Sequence, residues 1–225
     1  MSAPEAQGDT RKYVLLGAGG HAKVVVDALK SQGIKLDGVV DPELSKAHSF
    51  WRHLSVLGND DWLIAQEAKE FILVNGLGSL PGNSLRQRLF ERFKLAGFEF
   101  LSVIHASTTI GSDVTLGEGS QIMAGAILQA DSSIGSNTII NTGSTIDHDC
   151  RIGKNVHIAP GVTVSGDVVI DDNVHVGTGA SVIQGVRIGK YSIVGAGAVV
   201  VQSVPPVSRL IGAKPTLTAI DGGSR

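Results

Sequence analysis

From residue 104 onward, aliphatic residues recur at every sixth position. Ile, Leu or Val occupies each sixth residue from Ile104 to Val200 without a gap, and the residue two places before each is small or valine. Residues two apart on a strand share a face, so both series point inward. This period predicts short strands wound into a hexapeptide parallel β-helix. A sandwich or barrel would space its strands about 8–12 residues apart.

Glycine often follows the aliphatic position of this repeat, as at Gly111, Gly117, Gly135, Gly153, Gly177, Gly189 and Gly195. Because glycine tolerates backbone angles that other residues avoid, we expect the sharp corners of the β-helix at these positions. No insertion interrupts the period, so a loop that covers a substrate must come from outside the helix.

Before the repeat, short apolar runs alternate with helical patterns. The pattern predicts strands over 13–16, 36–40, 71–74 and 98–101, and helices over 21–32, 59–68 and 84–96. Strands alternating with helices indicate a small Rossmann-like parallel sheet. The fold class is therefore α/β plus β-solenoid, with an α/β domain over 12–102, a β-helix over 103–204 and a C-terminal tail over 205–225.

Composition and charge narrow the class of protein. Apolar residues make up 42% and charged residues 18% of the 225, which supports a packed core. With a net charge of −2, the chain lacks the excess of positive charge with which proteins bind a nucleic-acid backbone. The single cysteine, Cys150, excludes an intramolecular disulfide framework. Since no apolar run is long enough for a membrane span and the N-terminus is polar, we expect no signal peptide and a cytoplasmic location.

The first predicted strand ends in a glycine-rich turn. Gly17-x-Gly19-x-x-Ala22, with Asp41 about 20 residues further on, fits a dinucleotide fingerprint. A helix N-terminus favours phosphate, and an acidic side chain accepts hydrogen bonds from ribose or base. About 90 residues provide only one of the two mononucleotide-binding halves of a dinucleotide-binding fold. We therefore favour a single nucleotide that carries a sugar over NAD. A turn without a ligand is the alternative. His21 is either a helix-start residue or a pyrophosphate contact.

Three histidines of the repeat are candidates for chemistry. His148 lies between Asp147 and Asp149, where carboxylates would orient a general base, although a solvated polar turn has the same composition. His157 and His175 are 18 residues apart and should stack on successive coils. A zinc site built from the three histidines is a rival hypothesis. The spacing of these histidines disfavours such a site within one chain. Cys150 occupies an inward position and is expected in the core.

The chain resembles the bacterial sugar O- and N-acetyltransferases that join a nucleotide-sugar-binding α/β domain to a left-handed β-helix. This group includes sialic acid O-acetyltransferases and UDP-4-amino-sugar and GDP-perosamine N-acetyltransferases, and the last are the nearest in our interpretation. The resemblance lies in residues 17–22, 39–41, 75–78 with Arg86, 141–150 and 152–161.

The resemblance implies a left-handed helix, a homotrimer and acetyl-CoA bound between neighbouring helices, without a metal. It implies a catalytic pair of His148 as base and Asp149. His157 would approach the acetyl carbonyl, and the Gly166 N–H would hold the thioester oxygen. Further implied contacts to CoA come from His175, Lys190 and Lys214. The nucleotide sugar would contact Gly17, Gly19, Gly20, His21, Asp41, Asn75, Gly76, Arg86 and Asn141.

Two departures from the family pattern stand out. The bacillosamine-pathway enzyme has Glu where this chain has the shorter Asp149. The usual Gly-x-Pro-Ala-Lys-like motif is replaced here by Gly-Ala-Lys-Pro at residues 212–215.

The resemblance implies transfer of an acetyl group to the amine of a 4-amino-4,6-dideoxy sugar on a nucleotide, with GDP-perosamine favoured. The alternatives are O-acetylation of sialic acid or another sugar hydroxyl, a carbonic-anhydrase-like zinc enzyme, and a non-catalytic trimer that senses a nucleotide sugar.

Overall fold

A computed structural model of the protein describes residues 10–212. Its first part is an α/β domain with the elements β1 (Lys12–Leu16), α1 (Gly20–Ser31), β2 (Gly38–Val40), a 3-10 helix (Leu44–Lys46), β3 (Phe50–Trp51), β4 (Leu54–Gly58), α2 (Asp60–Ile64), a second 3-10 helix (Ala68–Glu70), β5 (Phe71–Asn75), α3 (Leu85–Leu95) and β6 (Glu99–Phe100). The sheet order is β3-β4-β2-β1-β5-β6, and every pair except β3–β4 is parallel. This confirms the predicted Rossmann-like sheet.

Each face of this sheet carries its own apolar cluster. Helix α1 buries Ala22, Val25 and Leu29 on one face, while Phe93 and Phe98 pack on the other. The short hairpin β3–β4 was not predicted, because its strands are brief and only half-buried, so they lack an apolar run.

The second part is a β-helix of three parallel sheets. The first sheet contains β7 (Val103–Ile104), β10 (Gln121–Ile122), β13 (Ile139–Ile140), β16 (His157–Ile158), β19 (His175–Val176), β22 (Ile193–Val194) and β24 (Arg209–Leu210). The second contains β8 (Thr109–Ile110), β11 (Ile127–Leu128), β14 (Thr145–Ile146), β17 (Thr163–Val164), β20 (Ser181–Val182) and β23 (Val199–Val200). The third contains β9 (Thr115–Leu116), β12 (Ser133–Ile134), β15 (Arg151–Ile152), β18 (Val169–Ile170) and β21 (Arg187–Ile188). The predicted left-handed hexapeptide helix is confirmed.

The interior of the β-helix explains the composition of the inward positions. The aliphatic series forms one continuous buried cluster along the axis. Small polar side chains fit between these layers because their hydroxyls reach backbone carbonyls of the same turn: Thr138 Oγ1 donates to Gly153 O at 2.7 Å, and Ser144 Oγ donates to Ala159 O at 2.9 Å. Cys150 is fully buried, as expected.

The corners of the β-helix differ from the prediction. Every sixth residue from Asp113 to Gly197 has a φ between 55° and 73°, and all except Tyr191 are Gly, Asn or Asp. The glycines that follow the aliphatic position serve another purpose. A Cβ on Gly135 would lie 2.5 Å from the carbonyl carbon of Gly153, so this glycine permits close stacking of successive coils.

The β-helix also ends later than the expected boundary at 204. Val204 follows Val200 by four residues instead of six and bridges Ile188. The chain then adds β24 to the first sheet beside β22. No helix of residues 10–212 is long and apolar enough to cross a bilayer.

Candidate active site

A cavity of about 850 Å³ lies where three parallel strands end. Strands β1, β2 and β5 lead into Gly17, Asp41 and Gly76, and the carboxyl edge of a parallel sheet is where α/β folds bind ligands. The lining contains Gly17, Ala18, Gly19, Gly20, His21, Val24, Asp41, Pro42, Glu43, Asp60, Gly76, Leu77, Gly78, Ser79, Leu80, Asn83, Leu85, Leu89 and His157. The structure thus brings the glycine turn, Asp41 and Gly76 together at one edge of the sheet.

Asp41 holds the glycine turn in place. Its Oδ2 accepts a hydrogen bond from Ala18 N at 3.0 Å, and its Oδ1 accepts from the backbone N–H groups of Glu43 and Leu44. Gly19, the N-cap of α1, has no side chain to cap the helix. The first amides of α1 therefore face the cavity with the positive end of the helix dipole, an arrangement that favours an anion.

Gly76 is required by close packing at the same edge. A Cβ there would lie 2.7 Å from Leu16 O and 2.9 Å from Gly17 O. Since both contacts are with backbone atoms, a side chain at this position would force the strand ends apart.

The cavity wall is acidic. Asp41, Glu43 and Asp60 contribute carboxylates, and none of the described lining residues is Lys or Arg. Burial raises the pKa of Asp60, whose Oδ2 lies 3.3 Å from Arg92 Nη1. Sequence reasoning missed Asp60 because it follows β4, a strand that was not predicted.

Asn75 and Arg86 were expected to contact the nucleotide, but neither lines the large cavity. Both are buried, and together they join the two domains. Asn75 Nδ2 donates to Asn137 Oδ1 at 3.0 Å, and Arg86 Nε donates to Asn137 O at 3.2 Å. Arg86 Nη1 also donates to Leu77 O at 2.6 Å, which holds the loop after β5. Burial lowers the pKa of Arg86 to about 9.

His21 faces the β-helix across the domain boundary. Its Nε2 lies 2.8 Å from Oε1 of Gln121, a fully buried residue of β10 that sequence reasoning missed. These residues are 100 positions apart, so no local pattern links them.

His157 and His175 stack as predicted. Their residues pair in register between β16 and β19, and the ring centroids are 4.8 Å apart at 88°. Burial lowers the pKa of His157 to about 3 and also lowers that of His175.

The hydrogen bonds of His157 define its neutral form. Its Nδ1 donates to the carbonyl oxygen of Ser79 at 2.9 Å, so Nε2 carries the lone pair. Asn141 presents Nδ2 to that nitrogen at 3.2 Å, because Asn141 Oδ1 accepts from Thr142 N. In this state the one ring N–H of His157 is used by Ser79 O, and the implied approach of His157 to the acetyl carbonyl stays a prediction.

His148 lies at the corner after β14. Its Nδ1 donates to Asp149 Oδ2 at 2.7 Å, which leaves the lone pair on Nε2. The hydrogen bond to Asp149 raises the pKa of His148, and the charges of Asp147, Asp149 and Asp167 act in the same direction. Although Asp149 is shorter than the Glu of the bacillosamine-pathway enzyme, it reaches the imidazole. The side chain of His148 is 51% exposed, so the imidazole is open to solvent.

Gly166 lies against this imidazole, one coil further along the helix. A Cβ on Gly166 would be 2.5 Å from His148 Cε1 and 2.6 Å from Nε2. Its backbone N–H donates to no backbone acceptor within the described part of the chain. This corner thus combines the imidazole lone pair of His148 with a backbone N–H that has no backbone acceptor among the described residues.

The remaining expected contacts are separate from this corner. Lys190 Nζ lies 3.4 Å from Asp172 Oδ2 on the surface. His175 lines a second cavity of about 290 Å³ beside Asn155, Asn173 and Tyr191. Lys214 and the end of the altered motif lie outside the described residues. Within residues 10–212, no group of three or more His, Cys, Asp or Glu side chains is placed to hold a metal ion.

The chain matches two protein families. Residues 12–93 match the PglD N-terminal domain, and residues 131–166 and 167–202 match the bacterial transferase hexapeptide, six repeats. A curated relative is the UDP-N-acetylbacillosamine N-acetyltransferase of Bacillus subtilis (strain 168), 37% identical over 121 residues, or 51% of this chain. The match spans about half of that relative, 52% of its length.

Two solved structures are similar over nearly the whole chain. PerB from Caulobacter crescentus, in complex with CoA and GDP-perosamine, is 38% identical with a TM-score of 0.81, covering 89% of this chain and 94% of that one. The acetyltransferase domain of PglB from Neisseria gonorrhoeae FA1090, in complex with acetyl coenzyme A, is 31% identical with a TM-score of 0.80, covering 92% and 100%.

Proposed function

Because the chain belongs to the hexapeptide-repeat sugar N-acetyltransferases with a PglD-type N-terminal domain, we propose that it acetylates a nucleotide-linked amino sugar with acetyl-CoA. The observation that carries this proposal is the presence, in one chain, of a strand-edge cavity of about 850 Å³ and a separate corner formed by His148 and Gly166. The cavity suits a nucleotide sugar, and the corner suits acyl transfer.

The proposed reaction is direct transfer in a ternary complex. His148 Nε2 takes a proton from the sugar amine as the amine nitrogen attacks the thioester carbonyl carbon, a role worth about 10²–10⁴-fold. The Gly166 N–H stabilises the oxyanion, a contribution of roughly 10²–10³-fold. The C–N bond forms, the C–S bond breaks, and CoA leaves as a thiolate that then takes up a proton. Asp149 orients the imidazole through the 2.7 Å hydrogen bond.

We propose that the complete site forms between chains of a homotrimer. His148 follows a strand of the second sheet, whereas His157, at the cavity, lies in the first sheet. His148 does not line the nucleotide cavity of its own chain. A neighbouring chain supplies the missing half, with acetyl-CoA between the two helices.

The favoured acceptor is GDP-perosamine, and the acidic wall supports guanine as the base. Guanine presents two adjacent N–H donor groups, which match a carboxylate such as that of Asp60. Uracil flanks its single N–H with two carbonyl oxygens, which a carboxylate repels. Within the described lining no Lys or Arg offers those carbonyls a charged donor.

Release of CoA thiol from acetyl-CoA tests the proposal, using GDP- and UDP-linked 4-amino-4,6-dideoxy sugars with sialic acid as a hydroxyl acceptor. We expect turnover with the GDP-linked amine. Turnover with sialic acid alone would replace the proposal with O-acetylation. Binding of nucleotide sugar without any turnover would replace it with a sensing trimer.

Subunit complementation tests the shared site. His148→Ala removes the base, and Gly19→Leu blocks the cavity, since a Cβ on Gly19 meets no atom within 4 Å and points into open space. Each variant alone should be inactive. Co-expressed with two different tags, mixed trimers should regain activity, because one interface then joins an intact His148 to an intact cavity. Mixed assemblies without activity would contradict the proposal.

A further inference from the structure

The side chain of Gln121 connects the glycine turn of one domain to the β-helix of the other. Gln121 Nε2 lies 2.6 Å from the carbonyl oxygen of Asn75, and Gln121 Oε1 lies 2.8 Å from His21 Nε2. A carbonyl oxygen only accepts hydrogen bonds, so Gln121 Nε2 must be the donor to Asn75. The orientation of the amide is thereby determined, and its oxygen faces His21.

This orientation selects one tautomer of His21. An amide oxygen only accepts, so His21 Nε2 carries a proton. Burial lowers the pKa of His21 to about 4; the hydrogen bond to Gln121 opposes this shift, and the charge of Arg86 adds to it. The ring is therefore neutral at pH 7, with its lone pair on Nδ1. That nitrogen has no hydrogen-bond partner among the described residues, and His21 lines the large cavity.

We propose that Gln121 is a positioning residue that holds His21 in its Nε2–H form, so that Nδ1 accepts a hydrogen bond from a hydroxyl or amino group of the bound sugar. The identity of the ligand as a sugar rests on the proposed function, whereas the tautomer of His21 follows from the contacts of Gln121. A lone pair on Nδ1 repels phosphate oxygens. The proposal therefore assigns His21 to the sugar and not to the pyrophosphate.

The first test is ¹⁵N NMR of histidine-labelled protein at pH 7, with the His21 signals assigned by their loss in His21→Gln. We expect a protonated Nε2 and an unprotonated Nδ1. In Gln121→Glu the new carboxylate favours the imidazolium form, so both nitrogens should become protonated. A wild-type spectrum with a protonated Nδ1 would overturn the proposal.

The second test separates sugar from phosphate. In Gln121→Met we expect the KM for the nucleotide sugar to rise about three- to tenfold. This factor corresponds to the loss of the one hydrogen bond between His21 and the sugar. The affinity for sugar-free GDP, measured by calorimetry, should stay the same. Equal weakening of GDP would show that His21 serves the phosphates and would overturn the sugar assignment.

Two controls distinguish positioning from general damage. Gln202→Met makes the same change at an exposed site and should alter neither constant. In a His21→Ala background, Gln121→Met should raise the KM no further, because the residue acts through His21; an additional rise would contradict the proposal. If wild-type protein binds neither GDP nor the nucleotide sugar, the proposed function fails, while the NMR experiment still decides the tautomer.

Discussion

Replacing Gly166 with alanine should displace the imidazole of His148, the proposed base, without disturbing the fold. The added Cβ would lie 2.5 Å from His148 Cε1, roughly 1 Å short of an ordinary van der Waals contact. The imidazole must move by about that distance, and we expect this shift to disturb its 2.7 Å hydrogen bond to Asp149. A misplacement of about 1 Å at a reacting group costs on the order of 10²-fold in rate, or about 2.7 kcal/mol.

The backbone at this corner accepts alanine. Ala130 occupies the same corner two coils earlier, since Asp149 N donates to Ala130 O and Asp167 N donates to His148 O in the same stack. We therefore expect an unchanged melting temperature and an unchanged KM for acetyl-CoA, with kcat reduced about 100-fold.

A steady-state CoA-release assay measures the effect of Gly166→Ala, and Ser112→Ala, at the same corner further from His148, is the matched control. In a His148→Ala background, Gly166→Ala should lower kcat no further, because the alanine at position 166 acts by displacing the imidazole of His148. Wild-type kcat in Gly166→Ala, or a full additional loss of kcat in the His148→Ala background, would show that the alanine does not act by displacing the imidazole.

Asp149→Asn removes the carboxylate that raises the pKa of His148, so the acidic limb of the kcat profile should move to lower pH while the plateau falls; an unmoved limb would contradict this. His21 and His157, with pKa values lowered to about 4 and about 3, bind protons more readily when unfolded. The unfolding free energy should therefore fall as pH drops from 6.5 towards 4, by up to about 1.4 kcal/mol per pH unit for each histidine, and urea titrations that give a flat curve would be inconsistent with it. Gly135→Ala places a Cβ 2.5 Å from the backbone of Gly153 and should destabilise the protein by about 1–3 kcal/mol in urea unfolding, whereas an unchanged midpoint would show that the coils separate freely.

The period of the sequence predicted the β-helix because each coil repeats the same local environment. The stacking of His157 on His175 followed from that period alone. The true corners were missed because Asn and Asp share the left-handed positions with Gly, so glycine spacing alone misleads.

Contacts between the domains could not be predicted from periodicity. The bond between His21 and Gln121 joins residues 100 positions apart, and the bond between Asn75 and Asn137 joins residues 62 apart. The resemblance assigned Asn75 and Arg86 to the nucleotide sugar. Only the three-dimensional arrangement shows that both side chains bond to Asn137 at the domain boundary.

The most direct test of the account is the identity of the acetylated product. Purified protein, acetyl-CoA and a GDP-linked 4-amino-4,6-dideoxy sugar should yield a nucleotide sugar that gains one acetyl group by mass spectrometry. We predict that this acetyl group survives mild alkali, because it is held in an amide. An acetyl group released by alkali would identify an ester and contradict N-acetylation, and an unmodified sugar with intact acetyl-CoA would contradict acetyl transfer to this class of acceptor.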